Sequence, residues 1–251
     1  MKTPLILTRM LIWTMLTVAL SGSFASGAQN AADYSRQEFI VLVGGPSLHR
    51  WEKFRRPQDQ HDKFWSNFMS SARIRTQQLR RAHGDAAIIT WLVYKRGYDE
   101  RGREDGQNHL QTIQNRAKQL NVRLVWYDTS DQVINYLNKG MSRRKVKIAT
   151  LDYFGHSNKF CFLLDYSNEI LGASRCYLHQ RDLGRVRRGI FIKEPRICSY
   201  GCHTGESMAS VWQRATGTRM RGAVGKTDYS GILAGGDSLP VISSENGHWV
   251  E

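Results

Sequence analysis

Two short stretches of this chain hold side chains that could do covalent chemistry. "FGHSN" carries His156, and "RICSYGCHTGE" carries Cys198, Cys202 and His203. A thiol attacks a carbonyl once deprotonated, and a nearby imidazole can take that proton. Gly155 and Gly201 precede His156 and Cys202 and permit close backbone approach beside both side chains. A helix expected after Cys202 would aim N–H groups at the sulfur and at an oxyanion.

Two other uses of the cysteines compete with this one. The four cysteines are Cys161, Cys176, Cys198 and Cys202. An even count in an exported chain raises the possibility of disulfides. In a strand, Cys198 and Cys202 would lie about 13 Å apart, and bridged Cα atoms lie within about 7 Å. Cys161 and Cys176 flank a segment readable as a hairpin and form the better candidate pair, which leaves Cys198 as a small core residue. Cys202 could still bond to Cys161 or Cys176. "CSYGCH" is one residue longer than a haem-attachment motif, and no second Cys/His cluster has zinc spacing, so neither a metal nor another cofactor is expected.

The neighbours of these residues have plainer readings. His203 adjoins Cys202, points the other way on an extended chain, and is expected to be a loop or capping histidine. Asp152 is expected to be structural. Asp228 leaves the strand that follows the nucleophile helix and is a candidate for lining a substrate pocket, against a solvated loop role. "GAVGKT" has Met220 where a phosphate-binding loop needs glycine, so it reads as a strand and its exit. The tryptophans at 51, 65, 91, 126 and 212 read as core.

The elements that must position His156 and Cys202 follow from hydrophobic periodicity. Strands are expected at 38–45, 86–94, 122–128, 145–154 and 191–200, the last with an uncertain start at Pro195. Helices are expected at 61–84 (with Phe64, Phe68, Ala72 and Leu79 near one face), 108–120, 130–140 and 206–217. Ser130 is expected to cap the third helix and Gly140 to end it. The run "KRGYDERGREDGQ" reads as a charged loop open to processing. Strands alternating with helices of about three turns indicate βαβ units, an α/β fold with a mostly parallel sheet. Such sheets carry their sites at the carboxyl ends of the strands, which is where His156 and Cys202 fall.

Composition fits one globular domain: 251 residues, 41% hydrophobic. Residues 1–28 have a weakly basic start (Lys2, Arg9), a short apolar run from Leu11 to Leu20, then small residues, the layout of a secretory signal peptide. The alternative is an uncleaved anchor, for which the run is short of the roughly 20 residues of a spanning helix. Export to a periplasmic or extracellular space is expected, with residues 36–251 as one domain. Formal charge is +14, and +12 without Lys2 and Arg9. That excess draws anionic surfaces or polymers. With no nucleic-acid-binding motif, no specific nucleic acid is expected as a partner.

"KIATLDYFGHS" and "RICSYGCHTGESMASVWQRATGTRMRGAVGKTDYS" together resemble the caspase-like cysteine peptidases, the second block being most similar to CHAT-domain sequences. The resemblance implies a three-layer caspase-like sandwich and an endopeptidase acting on protein or peptide substrates. In that reading Cys202 is the nucleophile, His156 the general base, and the backbone around Gly155, Ser157 and Gly201, with the Cys202 amide, the oxyanion site. The family usually has glycine directly after the histidine, where this chain has Ser157. It also commonly has an acidic residue near the cysteine, where this chain has Ser199, Tyr200 and Gly201. The competing expectation is an inactive member of the same fold, serving as a binding or interaction module.

Overall fold

The structure, a computed structural model, describes residues 36–54, 56–57, 64–166, 175–233 and 236–251. Residues 1–28, expected from the sequence to be a signal peptide, lie outside them, as does the beginning of the helix expected from residue 61.

The apolar run after Arg36 forms β1 (Gln37–Val43), which is buried on both sides. Successive side chains of a strand face opposite ways. Ile40 and Leu42 therefore enter one apolar cluster, and Val41 and Val43 the other. β2 (Ile88–Tyr94), β3 (Arg123–Tyr127), β4 (Lys147–Phe154), β8 (Phe191–Ser199), β9 (Met220–Val224) and β12 (His248–Val250) complete a seven-stranded sheet in the order β12-β9-β8-β4-β1-β2-β3. Every pairing is parallel except β9 with β12. α1 (Asn67–His83), α2 (Lys95–Asp105) and α3 (His109–Gln119) pack on one face through Phe68, Ala72, Tyr98 and Ile113. α4 (Ser130–Lys139) and α5 (Met208–Thr216) cover the other through Val133, Leu137, Met208 and Trp212. The chain is thus an α/β three-layer sandwich.

The chain runs outward from β1 to β2 and β3, then returns past β1 to start β4 on its other side. The crevice between the carboxyl ends of β1 and β4 is a topological switch point, the usual place for a site in such a sheet.

Two buried carboxylates fasten the layers. Glu38 on β1 is fully buried and accepts from the Thr90 hydroxyl (2.6 Å), the Tyr136 hydroxyl (2.7 Å) and the Arg143 guanidinium. Asp152, also fully buried, pairs with Arg75 of α1 (2.7 Å) and with Arg196 of β8. It lies within its strand and ties a helix to two strands, the structural role expected for it.

Several expectations change. Residues 95–105 form α2 and not a loop. Oppositely charged residues four apart (Arg96–Glu100, Asp99–Arg103, Arg101–Asp105) line its surface, and such spacing supports a helix. Tyr98 and Arg101 are buried, Arg101 donating to the Ser47 carbonyl at 2.7 Å, so the segment is fastened into the fold. α1 begins at Asn67, and Phe64, ahead of it, is 52% exposed and not on the apolar face. The cap of α4 is Thr129, one residue before Ser130, through a reciprocal capping box with Gln132. β8 begins at Phe191, but its pairing with β4 jumps from Phe191 opposite Ile148 to Arg196 opposite Thr150. The bulge contains Pro195, which has no N–H to give the ladder.

Candidate functional site

β4 ends at Phe154, and Gly155 turns the chain directly into β5 (His156–Ser157). β5 is the first strand of a small antiparallel sheet with β6 (Cys161–Leu163) and β7 (Tyr177–His179). His156, at the carboxyl end of β4 as expected, sits in a strand pair opposite Leu163. The buried Tyr153 hydroxyl donates to the His156 carbonyl at 2.5 Å, fixing the backbone on which the imidazole is mounted. The ring stacks on Tyr166 (centroids 3.7 Å apart, planes 17° apart) and meets the edge of Phe68 of α1 at 5.1 Å. Aromatic rings on two sides set its plane.

Cys202 follows β8 across Tyr200 and Gly201 and lies in a run of turns that ends where α5 begins. It is the one cysteine of the four that is not buried. Its sulfur accepts from the Thr227 N–H at 3.4 Å and lies 3.5 Å from the Thr227 hydroxyl. That hydroxyl donates to the Tyr200 carbonyl (2.8 Å), which also accepts from the Tyr229 hydroxyl (3.0 Å). Phe68 meets Tyr229 edge-on at 5.0 Å, so one ring contacts both the histidine and the segment behind the cysteine.

The two loops are joined by Ser157. Its hydroxyl donates to the Cys202 carbonyl at 2.6 Å. Gly201 makes the approach possible: a Cβ there would overlap the Ser157 hydroxyl oxygen, lie 2.8 Å from the Ser157 Cβ and 3.2 Å from the Gly155 carbonyl. Gly155 is equally constrained, because a Cβ there would collide with the Tyr153 phenol. The three backbone positions singled out from the sequence thus pack against one another.

Of the expected donors, the Gly201 N–H and the helix terminus are committed elsewhere, and the Cys202 N–H is left open among the described residues. The Gly201 N–H is spent on the Ser199 hydroxyl (3.3 Å), whereas the Cys202 N–H has no protein acceptor among the described residues. α5 starts only at Met208, and its first N–H groups bond the Lys159 and Thr204 carbonyls, so its terminus does not serve the thiol. His203 adopts a left-handed backbone (φ 63°) and its Nδ1 lies 2.5 Å from Glu206. The hydrogen bond from His203, against a smaller effect of burial, holds the Glu206 carboxyl below its ordinary range. The Asp228 carboxylate accepts from the Ser230 N–H (2.8 Å) and hydroxyl (2.6 Å), a local turn on the strand β10 (Thr227–Asp228), which pairs with β11 (Val241–Ile242). Adjacent side chains on a strand face opposite ways, so Asp228 turns away from the sulfur that Thr227 touches.

All four cysteines are free thiols. The Cys161–Cys176 pairing fails on register. Cys161 stands opposite His179, three positions beyond Cys176 on the neighbouring segment, an offset of about 10 Å along the strand and too far for a bridge. Burial above all pushes their thiols up, Cys161 to about 11 and Cys176 to about 12. Cys198 is pushed to about 11 by burial and by the Asp152 carboxylate. Among the described residues no group of three His, Cys, Asp or Glu side chains could hold a metal, and no helix is long and apolar enough to cross a membrane.

Sequence reasoning missed Thr227, Tyr166, Phe68 and Tyr229. Thr227 ends "GAVGKT", which reads from the sequence as a strand and its exit with no mark of a sulfur contact. The others carried no signal, because an aromatic residue beside a functional histidine looks like any core residue. Comparison with known protein families, curated proteins and solved structures returns no match.

Proposed function

We propose that this chain is an exported cysteine-type peptidase of caspase-like architecture, with Cys202 as nucleophile and His156 as general base. The observation that carries the reading is the Ser157 bond to the Cys202 carbonyl, which fastens the histidine and cysteine segments together at the carboxyl edge of a parallel sheet. Cys202 is also the one cysteine of the four that is not buried. In the reaction the thiol proton passes to His156 and the sulfur attacks the carbonyl carbon of a peptide bond. The oxyanion forms against the Cys202 N–H, the donor without a protein acceptor. Collapse expels the amine, which takes the proton back from His156 and leaves a thioester. Water, deprotonated by His156, then hydrolyses the thioester and frees the thiol. Substrates are proteins or peptides, and the signal-like segment at residues 1–28 supports export.

The test is a peptide carrying an acyloxymethyl ketone, a group that alkylates a catalytic thiol in its substrate pose. Wild type should be labelled on Cys202 and cleave a mixed peptide library. Cys202→Ala should do neither, and His156→Ala should label at least about a hundredfold more slowly, within the range expected of general base catalysis. Equal labelling of wild type and His156→Ala without any peptide turnover would refute the peptidase. It would leave the reading as an interaction module, which the replacement of the family's glycine by Ser157 favours.

A further inference from the structure

Residues 214–226 carry Arg214, Arg219, Arg221 and Lys226, a basic run that lies partly away from the thiol. On β8 and β9, Ile197 stands opposite Met220 and Cys198 opposite Arg221. Arg196 and Arg219 are therefore side by side one position earlier, and by strand alternation Arg196, Arg219 and Arg221 share a face. They line one cavity of about 280 Å³ floored by Cys198 and edged by Pro195 and Glu251. We propose that this cavity is a binding site for a compact dianionic oxyanion group of the phosphate monoester class.

Charge comes first. Three guanidinium groups line the cavity against the side-chain and terminal carboxylates of Glu251, which pair with none of them. Among the described residues Arg219 and Arg221 have no carboxylate within 4.0 Å. The carboxylate behind the cavity, Asp152, is shared between Arg75 and Arg196 and is already neutralised. Without an anion, the cavity concentrates positive charge over Cys198, which is 1% exposed.

Preorganisation comes second. Arg196 is held by Asp152 and by the Tyr200 hydroxyl, to which it donates at 2.9 Å. Arg221 lies over the Trp249 ring, 4.6 Å from its centroid. Two of the three forks are thus fixed before a ligand arrives. That lowers the ordering cost of binding and suits the bidentate geometry by which arginine takes phosphate. The volume falls below the roughly 300–1,000 Å³ of sites for drug-sized ligands, so the group is small or is the tip of a larger molecule. Neither Cys202 nor Thr227, the partner of its sulfur, lines the cavity, so this site is separate from the thiol.

The test is calorimetric titration of the full chain at fixed ionic strength with inorganic phosphate, O-phosphoserine and chloride. Phosphate or phosphoserine should bind saturably with one site, and chloride should not. The double variant Arg219→Gln/Arg221→Gln should weaken binding at least tenfold, and Arg219→Gln alone, at an exposed position, should weaken it with an unchanged urea midpoint. Glu251→Gln should tighten it. Tighter binding of phosphoserine than of phosphate would identify the source as a modified macromolecule, and the reverse as the free ion. Phosphate heats indistinguishable from chloride, or an unchanged affinity in the double variant, would overturn the proposal.

Discussion

Gly201 and Ser157 offer a double-mutant cycle whose outcome the contacts dictate. Gly201→Ala adds a Cβ that overlaps the Ser157 hydroxyl and lies 2.8 Å from the Ser157 Cβ. No left-handed backbone is involved, so the cost is contact alone. The hydroxyl can rotate away, but it then gives up its bond to the Cys202 carbonyl, and the Cβ contact remains too short. Overpacking costs about 1–3 kcal/mol and the lost hydrogen bond about 0.5–1.5 kcal/mol, a combined loss of about 2–4 kcal/mol. Ser157→Gly alone loses the bond and adds backbone freedom, about 1–2 kcal/mol. In the double variant the nearest obstacle to the alanine methyl is the Gly155 carbonyl at 3.2 Å, a contact a small shift relieves. The alanine should then add less than about 1 kcal/mol, so the two substitutions should couple by about 1–3 kcal/mol. Urea unfolding of the four proteins measures this, with the rate of Cys202 alkylation as a local readout. Additivity within about 0.5 kcal/mol would refute the claim that the two loops meet at these atoms.

Three further outcomes follow from burial and charge. At pH 8 a thiol-specific reagent should modify Cys202 alone in the native protein. Thiols raised to about 11 or 12 are about a thousandfold or more short of ionised there, and equal rates at two cysteines by mass spectrometry would contradict the burial of the rest. Glu38→Gln should destabilise by about 3–5 kcal/mol, because it leaves Arg143 buried without its charge partner; a urea-derived loss under 1 kcal/mol would contradict this. For Asp105, burial pushes the carboxyl up, but hydrogen bonds and charge from His109 and Arg101 outweigh it and the net shift is downward. A depressed carboxyl stabilises the fold above its unfolded pKa and loses that contribution as pH falls through the folded value. The stability gap between wild type and Asp105→Asn should therefore be full at pH 6 and close below about pH 4; a gap independent of pH would refute the assignment.

The strands were legible because each parallel strand, buried on both faces, is a continuous apolar run such as "IITWLVY". The carboxyl-edge rule then brought Gly155, Ser157 and Gly201 together as a packed set. α2 was not legible, since its segment has two glycines and few apolar residues. Gly97 is required because a Cβ would meet the Tyr94 ring at 3.0 Å and Gly45 at 3.1 Å, and Gly102 because a Cβ would lie 2.6 Å from the Gln107 carbonyl. Those are tertiary demands that a propensity scale scores as loop. The cysteine pairing misled because spacing along the chain contains no register. Thr227 was hidden because its partner sulfur is 25 residues away, in the turns after β8.

The residues around Cys202 come from α1, from the β4–β5 junction, from the turn after β8 and from β10, so they run from Phe68 to Tyr229 along the chain. None of them can be reached by an isolated hairpin or a single βαβ unit. The thiol's surroundings therefore exist only when the sheet has closed from β1 to β9. Folding through partial structures would expose an unassembled site, and chemistry at Cys202 would report completion of the whole sheet in a way that helix content or core burial could not.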